Sequence, residues 1–380
     1  MATIAVNTRL LLPGKLDGMG WYAYETLKRI TQAHPEHNFV FVFDRKYSDE
    51  FIFSDNVKAI VVPPQARHPS LWHIWFEYSL AYAISKNKAD LFFSPEGLLC
   101  TRTNIPQVGV VHDLNFEHFP EYLPANVAAY YKKWFKRSVQ KAARLATVSQ
   151  FSKDDLIKTY KVPVAKVDVV YNGVSDHFKP LNADEIKKNR EVFSQGKPYF
   201  LFVGSLHPRK NILNMLLAFD RFKTETESAF KFLIVGKKQW WNAEMEQTFN
   251  ALKHQSDIVF TGRQPDESLA RITASAFAKM YVSYFEGFGI PVIEAMKCNV
   301  PVITSNITSL PEVSGDAALL VTPTDVTQIT NAMKQLASND SMRNSLIEKG
   351  KIQQAKFSWD KTAELTWQTI QTVLSERKIK

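Results

Sequence analysis

Short apolar runs recur along the whole chain, and stretches with helical periodicity separate them. The runs are rich in Val, Ile and Phe and mostly do not alternate with polar residues, as in parallel strands covered on both faces. We therefore predict an α/β fold with doubly wound parallel sheets. The predicted strands are 3–7, 38–43, 59–63, 91–95, 107–113, 145–149, 167–173, 199–204, 231–236, 258–262, 279–284, 301–305 and 318–321. The main predicted helices are 20–34, 125–144, 212–226, 242–254 and 327–337.

This strand-and-helix pattern occurs twice, and 380 residues exceed one typical core, so the sequence predicts two domains. We expect an N-terminal Rossmann-like domain over 1–172 and a C-terminal Rossmann-like domain over 173–355, facing each other across a cleft. The polar segment from 173 to about 197 is expected to be the linker into the second domain. Residues 356–380 are expected to form an amphipathic C-terminal helix.

The chain carries a formal net charge of +9, which favours anionic partners such as nucleotides, phosphorylated substrates, anionic lipid or nucleic acid. Its two cysteines, Cys100 and Cys298, fit neither a disulfide framework nor a metal cluster. No run reaches the ~18 apolar residues of a membrane span, and the first residues lack the basic region of a signal peptide. We therefore expect a cytoplasmic protein.

Ligands of open parallel sheets bind beyond the carboxyl ends of strands, so residues that follow strands are the candidates for a site. After the strand YFLFVG comes SLHPRKN, in which Arg209 offers a planar fork of donors and Lys210 a compact charge. Two adjacent cations at a strand end suit a diphosphate. The alternative is a solvated basic loop that leads into a helix.

After the strand KMYVSY comes FEGFGIPVIEAM, in which Glu286 and Glu294 stand on either side of a glycine-rich turn. Gly287 and Gly289 let the backbone turn sharply and approach a ligand. Pro291 suits the first turn of a helix, whose N–H groups and dipole would form an anion site. Glu294 would then accept hydrogen bonds from a ribose, and Glu286 from a sugar hydroxyl. The alternative is an ordinary strand-to-helix turn with a solvated Glu286.

Two further features follow strands in the first half of the chain. His112 and Asp113 come after the strand QVGVV, although a lone histidine there is more often structural than catalytic. Gly18 and Gly20 precede a helix in DGMGWYAYETL, about ten residues after the first strand. A dinucleotide-binding motif would follow its strand directly, so these glycines match that motif only weakly. They are compatible with a loop that closes over a ligand.

Taken together, these segments resemble the retaining glycosyltransferases of family 4, which have the GT-B fold. The resemblance covers almost the whole chain in the right order. Its most specific element is the pair of glutamates with seven residues between them; similar segments are ATVSQFSKDDL, VVYNGVSDHFKP, VGSLHPRKN and ITSNITSLPEVSGDAALLVTPTD. The resemblance implies a hexosyltransferase that moves a sugar from a nucleoside diphosphate to a hydroxyl, with retention at the anomeric carbon.

The resemblance also implies roles for individual residues. Arg209 and Lys210 would hold the diphosphate and stabilise the leaving group. Glu286 would orient the donor sugar, Glu294 would bind the ribose, and His112 would lie near the reacting centre. The implied catalytic set is His112, Arg209, Lys210 and Glu286, and the further donor-binding residues are Gly18, Gly20, Gly204, Ser205, Arg263, Gly287, Phe288, Gly289, Ile290 and Glu294. The C-terminal helix would pack back on the N-terminal domain.

No Asp-x-Asp triplet occurs in the chain, so the metal bridge of the other major transferase fold has no candidate. Arg209, Lys210 and a helix dipole would neutralise the leaving group instead, and we expect activity without a metal or another cofactor. The segment LIVGKKQWWNAEM is similar to a branch that includes mannosyltransferases. GDP-mannose is therefore the expected donor, and a UDP-sugar is the alternative.

The acceptor is expected to be a glycan or a lipid-linked hydroxyl, bound mostly by the N-terminal domain. Residues 126–145 carry six cations interleaved with aromatic residues and no acid. Peripheral contact of this segment with the inner face of an anionic membrane is therefore a further expectation. The alternative is the solvated face of an ordinary helix.

Proteins of other classes would explain part of the pattern. A nucleic-acid-binding protein would explain the charge, but no recognition motif is present, so nucleic acid is not an expected partner. An NAD-dependent oxidoreductase would explain two nucleotide-binding domains, but the glycine pattern is misplaced. A non-catalytic nucleotide-binding or nucleic-acid-binding protein is the alternative to an enzyme.

Overall fold

The computed structural model describes residues 1–378 and divides the chain into two compact units. Unit 1 consists of Met1–Gly173 together with the chain from Ser358 onward, and unit 2 consists of Val174–Phe357. Each unit is built on one sheet, with seven strands in unit 1 and six in unit 2. All pairings in both sheets are parallel, so the strands are joined by crossovers, most of which contain helices.

The strands of unit 1 are β1 (Thr3–Asn7), β2 (Asn38–Phe43), β3 (Val57–Val61), β4 (Leu91–Ser94), β5 (Gln107–Val111), β6 (Arg144–Thr147) and β7 (Val167–Val169). Their order is β3-β2-β1-β4-β5-β6-β7, so the direction of winding reverses between β1 and β4. The helices are α1 (Gly18–Ala33), α2 (Pro69–Ile74), α3 (Leu80–Lys86), α4 (Asn115–His118), α5 (Ala125–Lys141) and α6 (Gln150–Tyr160). A π-helical turn, Trp75–Ser79, joins α2 to α3.

The strands of unit 2 are β8 (Tyr199–Val203), β9 (Lys231–Val235), β10 (Ile258–Gly262), β11 (Ala278–Tyr281), β12 (Val302–Ser305) and β13 (Ala318–Val321). Their order is β10-β9-β8-β11-β12-β13, and the winding reverses between β8 and β11. The helices are α7 (Ala183–Ser194), α8 (Ile212–Thr226), α9 (Ala243–Ala251), α10 (Asp266–Ala274), α11 (Ile290–Lys297), α12 (Leu310–Ser314), α13 (Val326–Ser338) and α14 (Asp340–Gln354). The two central strands, β8 and β11, are buried along their whole length.

The last helix, α15 (Trp359–Lys378), belongs to unit 1, although the chain reaches it after unit 2. It packs against α1 and β6. The hydroxyl oxygens of Tyr22 and Thr366 lie 2.7 Å apart, and the ring of Trp367 stacks on His34 with 3.9 Å between centroids. Polar and aromatic contacts with α1 and the residue after it therefore hold α15 against unit 1.

The predicted α/β fold with two doubly wound parallel sheets is confirmed, and each predicted strand overlaps an observed one. Several strands end earlier than predicted. β5 ends at Val111, before His112 and Asp113, and β11 ends at Tyr281. The polar residues that follow these strands leave the ladder and form loops at the carboxyl edge of each sheet.

One expectation about the start of unit 2 is wrong. The polar segment from 173 to about 197 is not only a linker, since α7 occupies Ala183–Ser194. The side chain of Asn182 accepts a hydrogen bond from the Glu185 N–H at 2.9 Å, and the Glu185 carboxylate accepts one from the Asn182 N–H at 3.1 Å. This capping box stabilises the first turn of a helix with few apolar residues.

Candidate functional site

Open parallel sheets bind ligands where the winding reverses, beyond the carboxyl ends of the two central strands. In unit 2 those strands are β8 and β11. The loop after β8 contains a short 3-10 turn, Pro208–Lys210, and the loop after β11 leads through Glu286 and Gly289 into α11. The two sequence segments with the strongest expectation of function therefore lie at the same edge of one sheet.

Glu286 lies between the two cations of the loop after β8. Its carboxylate accepts hydrogen bonds from Lys210 Nζ at 2.5 Å and from Arg209 Nη1 at 2.9 Å. Arg209 Nη1 also donates to the carbonyl of Phe285 at 2.8 Å. Glu286 is 5% exposed and Lys210 is 7% exposed, so the group is buried. The structure thus joins three of the four residues predicted to be catalytic.

The cations fix the charge of Glu286. Burial would raise its pKa, but the charges of Lys210 and Arg209 outweigh burial and lower the pKa to about 2. The carboxylate is therefore ionised at neutral pH and can only accept hydrogen bonds, for example from a sugar hydroxyl. Two cations share one carboxylate, which leaves an excess of positive charge at this edge of the sheet.

Two residues without a sequence motif hold Lys210 and its loop. The Tyr281 hydroxyl, on β11, accepts a hydrogen bond from Lys210 Nζ at 2.6 Å. Asn211 has a φ of 59°, and its side-chain amide donates to the carbonyls of Val282 at 2.9 Å and Pro323 at 2.7 Å. In the sequence, Tyr281 looks like any aromatic residue of an apolar strand, and only the asparagine beside the two cations is a signal.

The glycine-rich turn after Glu286 begins α11. Gly289 has a φ of 104°, and a Cβ there would lie 2.7 Å from Leu310 Cδ2, so glycine is required. Ser309 Oγ lies 2.9 Å from the carbonyl oxygens of both Glu286 and Phe288 and braces the turn. α11 follows directly, with Pro291 in its first turn and the Val292 N–H donating to the Gly289 carbonyl at 2.9 Å, so the positive end of its dipole is the feature that favours an anion.

The other predicted donor-binding residues of unit 2 lie in this turn or in the loops after β8 and β10. Phe288 is 3% exposed and its ring packs against Phe357 with 5.4 Å between centroids, so its backbone is the part that can meet a ligand. Gly204 donates its N–H to the Val235 carbonyl at 2.9 Å, which ties the loop after β8 to β9. Gly287 is buried, Ile290 is half-buried, and Ser205 and Arg263 are exposed.

Glu294, on α11, is half-buried and interacts electrostatically with Lys279 on β11. Lys279 is 0% exposed, and its Nζ has no hydrogen-bond partner within residues 1–378. Burial raises the pKa of Glu294 to about 7, against the opposing charge of Lys279. Burial also lowers the pKa of Lys279 to about 8. A lysine inside the apolar run KMYVSY was the sequence signal for this pair.

Unit 1 has a buried ion pair where its own winding reverses. Arg9 follows β1 and Glu96 follows β4, and Arg9 Nε donates to Glu96 Oε1 at 2.5 Å while Nη2 donates to Oε2. Asn7 Nδ2 donates to the same carboxylate at 2.5 Å. The guanidinium lies 5.7 Å from the ring centroids of Trp72 and Phe76. No sequence motif marks this group.

The remaining predicted site residues also lie in unit 1. His112 follows β5, and its Nε2 lies 2.8 Å from the carbonyl oxygen of Pro95. Because a carbonyl only accepts, Nε2 carries the proton and Nδ1 of the neutral ring is an acceptor. Burial lowers the pKa of His112, which favours the neutral form. Gly18 and Gly20 lie in the first turn of α1, where the Gly20 N–H donates to Asp17 at 3.0 Å.

The structure therefore brings together Arg209, Lys210 and Glu286, with Gly287, Phe288 and Gly289 in the adjoining turn. Gly18, Gly20 and His112 belong to the other unit. Within residues 1–378, no group of three or more His, Cys, Asp or Glu side chains is placed to hold a metal ion.

Known proteins resemble this chain in both sequence and fold. The profile of Glycosyl transferases group 1 matches residues 183–353, and that of Glycosyltransferase Family 4 matches residues 16–178. The chain is 29% identical to O-antigen chain mannosyltransferase B of Escherichia coli, over 93% of this chain and 95% of that protein. It is 31% identical to O-antigen chain mannosyltransferase RfbU of Salmonella typhimurium, over 69% of this chain and 70% of that protein.

A solved structure agrees in architecture. Anabaena HepE, crystallised in complex with UDP and glucose, superposes with a TM-score of 0.75 at 16% sequence identity, over 98% of this chain and 100% of that chain. The chain belongs to the glycosyltransferases of group 1 and family 4, with the GT-B fold. It is a glycosyltransferase, and its relatives include proteins named as O-antigen mannosyltransferases.

Proposed function

We propose that this glycosyltransferase moves mannose from GDP-mannose to a hydroxyl of a glycan or lipid-linked acceptor, with retention at the anomeric carbon and without a metal ion. The observation that carries the proposal is the buried group of Glu286, Lys210 and Arg209 where the winding of the unit 2 sheet reverses. The mannosyl donor is supported by the relatives named as mannosyltransferases, one of which aligns with 93% of the chain.

The electrostatics of this group suit the leaving group of the reaction. Cleavage of the bond between the anomeric carbon and the phosphate oxygen leaves additional negative charge on the nucleoside diphosphate. Arg209 and Lys210 would contact the diphosphate, and the positive end of the α11 dipole would add to their charge, so the stabilising charges are in place before the bond breaks. Glu286 would accept a hydrogen bond from a hydroxyl of the sugar and thereby couple the sugar to the phosphate site.

Retention would follow from a reaction on one face of the sugar. The acceptor hydroxyl would attack the anomeric carbon from the side on which the phosphate leaves, and the departing phosphate oxygen would take its proton. Glu286 is a poor nucleophile or base for this step, because both of its oxygens accept hydrogen bonds from cations and its pKa is lowered to about 2, despite burial, by Lys210 and Arg209. In the proposal, Glu294 binds the ribose and His112 lies near the reacting centre.

The test measures donor, metal requirement and stereochemistry together. The purified protein is incubated with GDP-mannose, or with UDP- and ADP-sugars, and a lipid-linked mannose-terminated oligosaccharide, in the presence of EDTA. We expect transfer from GDP-mannose alone and an α-linked product by NMR. Transfer only from a UDP-sugar would overturn the donor, a requirement for an added divalent cation would overturn metal independence, and a β-linked product would overturn retention.

Peripheral contact with the inner face of an anionic membrane is also part of the proposal. On α5, Lys132, Lys133, Lys136 and Arg137 are exposed, whereas Phe135 is buried, so this helix supplies cations and few apolar groups. Cations on one face of a helix attract anionic lipid. No helix within residues 1–378 is long and apolar enough to cross a membrane.

The apolar groups of this surface would come from α2, which packs against α5, and from the π-helical turn and α3 that follow it. Ile74, Tyr78 and Tyr82 follow one another at intervals of four residues and are 43%, 52% and 58% exposed. The Arg102 guanidinium lies 4.4 Å from the Tyr78 ring centroid, and Lys86 Nζ lies 5.4 Å from that of Tyr82. Exposed aromatic rings flanked by cations suit the boundary between lipid headgroups and acyl chains.

Vesicle co-sedimentation tests this contact. The protein is expected to bind phosphatidylcholine vesicles that contain phosphatidylglycerol and not pure phosphatidylcholine vesicles. The double variant Tyr78→Ser/Tyr82→Ser should lose most of this binding. The control Val192→Ser/Ile352→Ser changes residues of unit 2 that are 75% and 70% exposed and should bind as the wild type does. Equal binding by the two double variants would contradict the proposed surface.

A further inference from the structure

Three aromatic rings surround the ammonium group of Lys238, in the loop after β9. Its Nζ lies 4.1 Å from the ring centroid of Phe260, 4.7 Å from that of Trp241 and 5.7 Å from that of Phe249. The rings also meet edge to face, with Trp241 and Phe249 each 5.3 Å from Phe260. Lys238 and these three aromatic residues form the lysine box. Cation–π contacts of this kind hold an otherwise flexible lysine in one place.

The lysine box lies beside the loop that carries Arg209 and Lys210. The Leu206 N–H donates to the Lys237 carbonyl at 3.4 Å, and the Gly236 N–H donates to the Gly262 carbonyl at 3.0 Å. A Cβ on Gly236 would lie 1.8 Å from the carbonyl oxygen of Gly204, so glycine permits the close approach of these loops. The loops after β8, β9 and β10 are therefore tied into one surface.

The spacing of the strands places this surface at a suitable distance from the phosphate site. Neighbouring strands lie about 4.8 Å apart, so β9 and β10 lie about one and two spacings, or up to about 10 Å, from β8. That distance is comparable to the length of a nucleoside. A nucleoside diphosphate with its phosphates at Arg209 and Lys210 can therefore extend its base over the loops after β9 and β10.

Lys238 has donors to offer a ligand at this place. Its ammonium group donates no hydrogen bond to any residue within 1–378, and it makes no ion pair there. A lysine ammonium has three N–H donors and no acceptor, so it recognises acceptor atoms. The rings of Trp241 and Phe260 are only partly buried and offer apolar surface to a flat base.

We propose that the lysine box reads the base of the donor nucleotide, and that Lys238 donates hydrogen bonds to O6 and N7 of guanine. The inference rests on the proposed function, in which the donor is a GDP-sugar. Guanine presents two acceptors on this edge, whereas adenine presents N7 beside the N6 amino donor, with which an ammonium group cannot pair. Lys238 is thus a specificity residue that favours a purine with a carbonyl at position 6.

Calorimetric titration of the full chain with GDP, IDP and ADP tests the proposal. IDP keeps O6 and N7 but lacks the 2-amino group of guanine. The wild type should bind GDP and IDP within about twofold and ADP at least about tenfold more weakly, at the lower end of discrimination by a base contact. Lys238→Met should weaken GDP and IDP by about tenfold and leave ADP unchanged, so that the preference disappears.

Lys237→Met is the matched control, because Lys237 is the adjacent exposed lysine and lies outside the lysine box. It should keep the preference for GDP over ADP. If Lys238→Met weakened the binding of all three nucleotides equally, or left the preference for GDP over ADP unchanged, the proposal that Lys238 recognises the base would be overturned. The proposed transfer of mannose from GDP-mannose would not be affected by either result. A wild-type protein that binds none of the three nucleotides would overturn the GDP-sugar donor together with this inference.

Discussion

Both sheets carry a buried carboxylate where their winding reverses, but its partners differ. In unit 1, Glu96 meets one guanidinium, that of Arg9, and two aromatic rings lie against the pair. In unit 2, Glu286 meets two cations, Arg209 and Lys210. One cation balances one carboxylate in the first case, whereas a positive charge is left over in the second. At the point where the winding reverses, unit 1 therefore has an electrically neutral ion pair, whereas unit 2 has a net positive charge that suits an anion.

The largest expected effect comes from breaking the balanced pair. Arg9→Met leaves Glu96, which is 7% exposed, without its cation, and an unpaired buried charge costs about 3–5 kcal/mol of unfolding free energy. Urea unfolding measures the loss, and hydrogen exchange at the amides of β1 and β4 locates it in unit 1. The double variant Arg9→Met/Glu96→Gln removes both charges and should recover part of the stability. If the double variant were less stable than Arg9→Met, the claim that Arg9 and Glu96 mainly stabilise each other would be contradicted.

The next effect concerns the shared carboxylate of unit 2. Glu286→Gln keeps the shape of the side chain but removes the charge between Arg209 and Lys210, so kcat for transfer should fall by about 10²–10³-fold. Lys210→Ala should lower kcat by a similar factor. Steady-state kinetics with GDP-mannose measure both variants. Glu348→Gln, which removes an exposed carboxylate paired with Lys351 at 2.7 Å, is the control and should keep full activity.

Full activity in Glu286→Gln would defeat the assignment of the active site. A loss confined to KM would instead mean that the carboxylate only helps to bind the donor, because an interaction made equally with substrate and transition state leaves kcat unchanged. The kinetic constants therefore separate a catalytic carboxylate from one that merely holds two cations in place.

The two ion-pair groups differ in how far the sequence could predict them. Lys210 and Glu286 follow apolar strands within short, specific motifs, so both could be named as site residues from the sequence. Arg9 and Glu96 are single charged residues 87 positions apart, and they meet only because β1 and β4 are neighbours in the sheet. Lys210, the partner of Tyr281, likewise comes from another loop. The role of the Tyr281 hydroxyl therefore cannot be predicted from its place in an apolar strand.

The strands and helices of the fold also differ in how far the sequence predicts them. Strands covered on both faces must be apolar along their length, so runs such as Tyr199–Val203 were predictable. Helix α7 buries only Ser194, so its apolar pattern is weak and the sequence predicts a linker there instead of a helix. The spacing of Asn182 and Glu185 was the available signal, because a capping box depends on local residues and not on burial.

Lys279 of unit 2 is buried and its Nζ has no hydrogen-bond partner within residues 1–378, so its titration should make stability depend on pH. Burial lowers the pKa of Lys279 from 10.5 to about 8. Between these values the unfolded chain holds a proton that the folded protein has released, so this residue makes stability rise with pH from about 8 to 10.5, by at most about 1.4 kcal/mol per pH unit. In Lys279→Met this gain should disappear.

Urea unfolding at a series of pH values measures the difference between the two proteins. Lys349→Met, at an exposed lysine of the same unit, should keep the wild-type dependence. The same series should show a second change at lower pH. Burial raises the pKa of Glu294 to about 7 against the charge of Lys279, so its contribution to stability is lost as pH rises through about 7. Without Lys279 this loss should move to higher pH, and an unmoved loss would contradict coupling between the two side chains.

The smallest expected effect separates charge from hydrogen bonding in the Glu286 group. Tyr281→Phe removes the acceptor that lies 2.6 Å from Lys210 Nζ but removes no charge, because burial keeps the pKa of the phenol well above its ordinary value. Lys210 retains Glu286 as a partner, so kcat/KM for GDP-mannose should fall by only about fivefold, equivalent to about 1 kcal/mol. Tyr199→Phe is the control, because it removes a hydroxyl that donates to the Ile272 carbonyl in the core of the same unit, and it should lower stability without lowering kcat/KM. If Tyr281→Phe lowered kcat/KM as much as Glu286→Gln does, the orientation of the Lys210 side chain would matter more than the excess positive charge. The comparison between the two units would then depend on hydrogen bonding and not on charge.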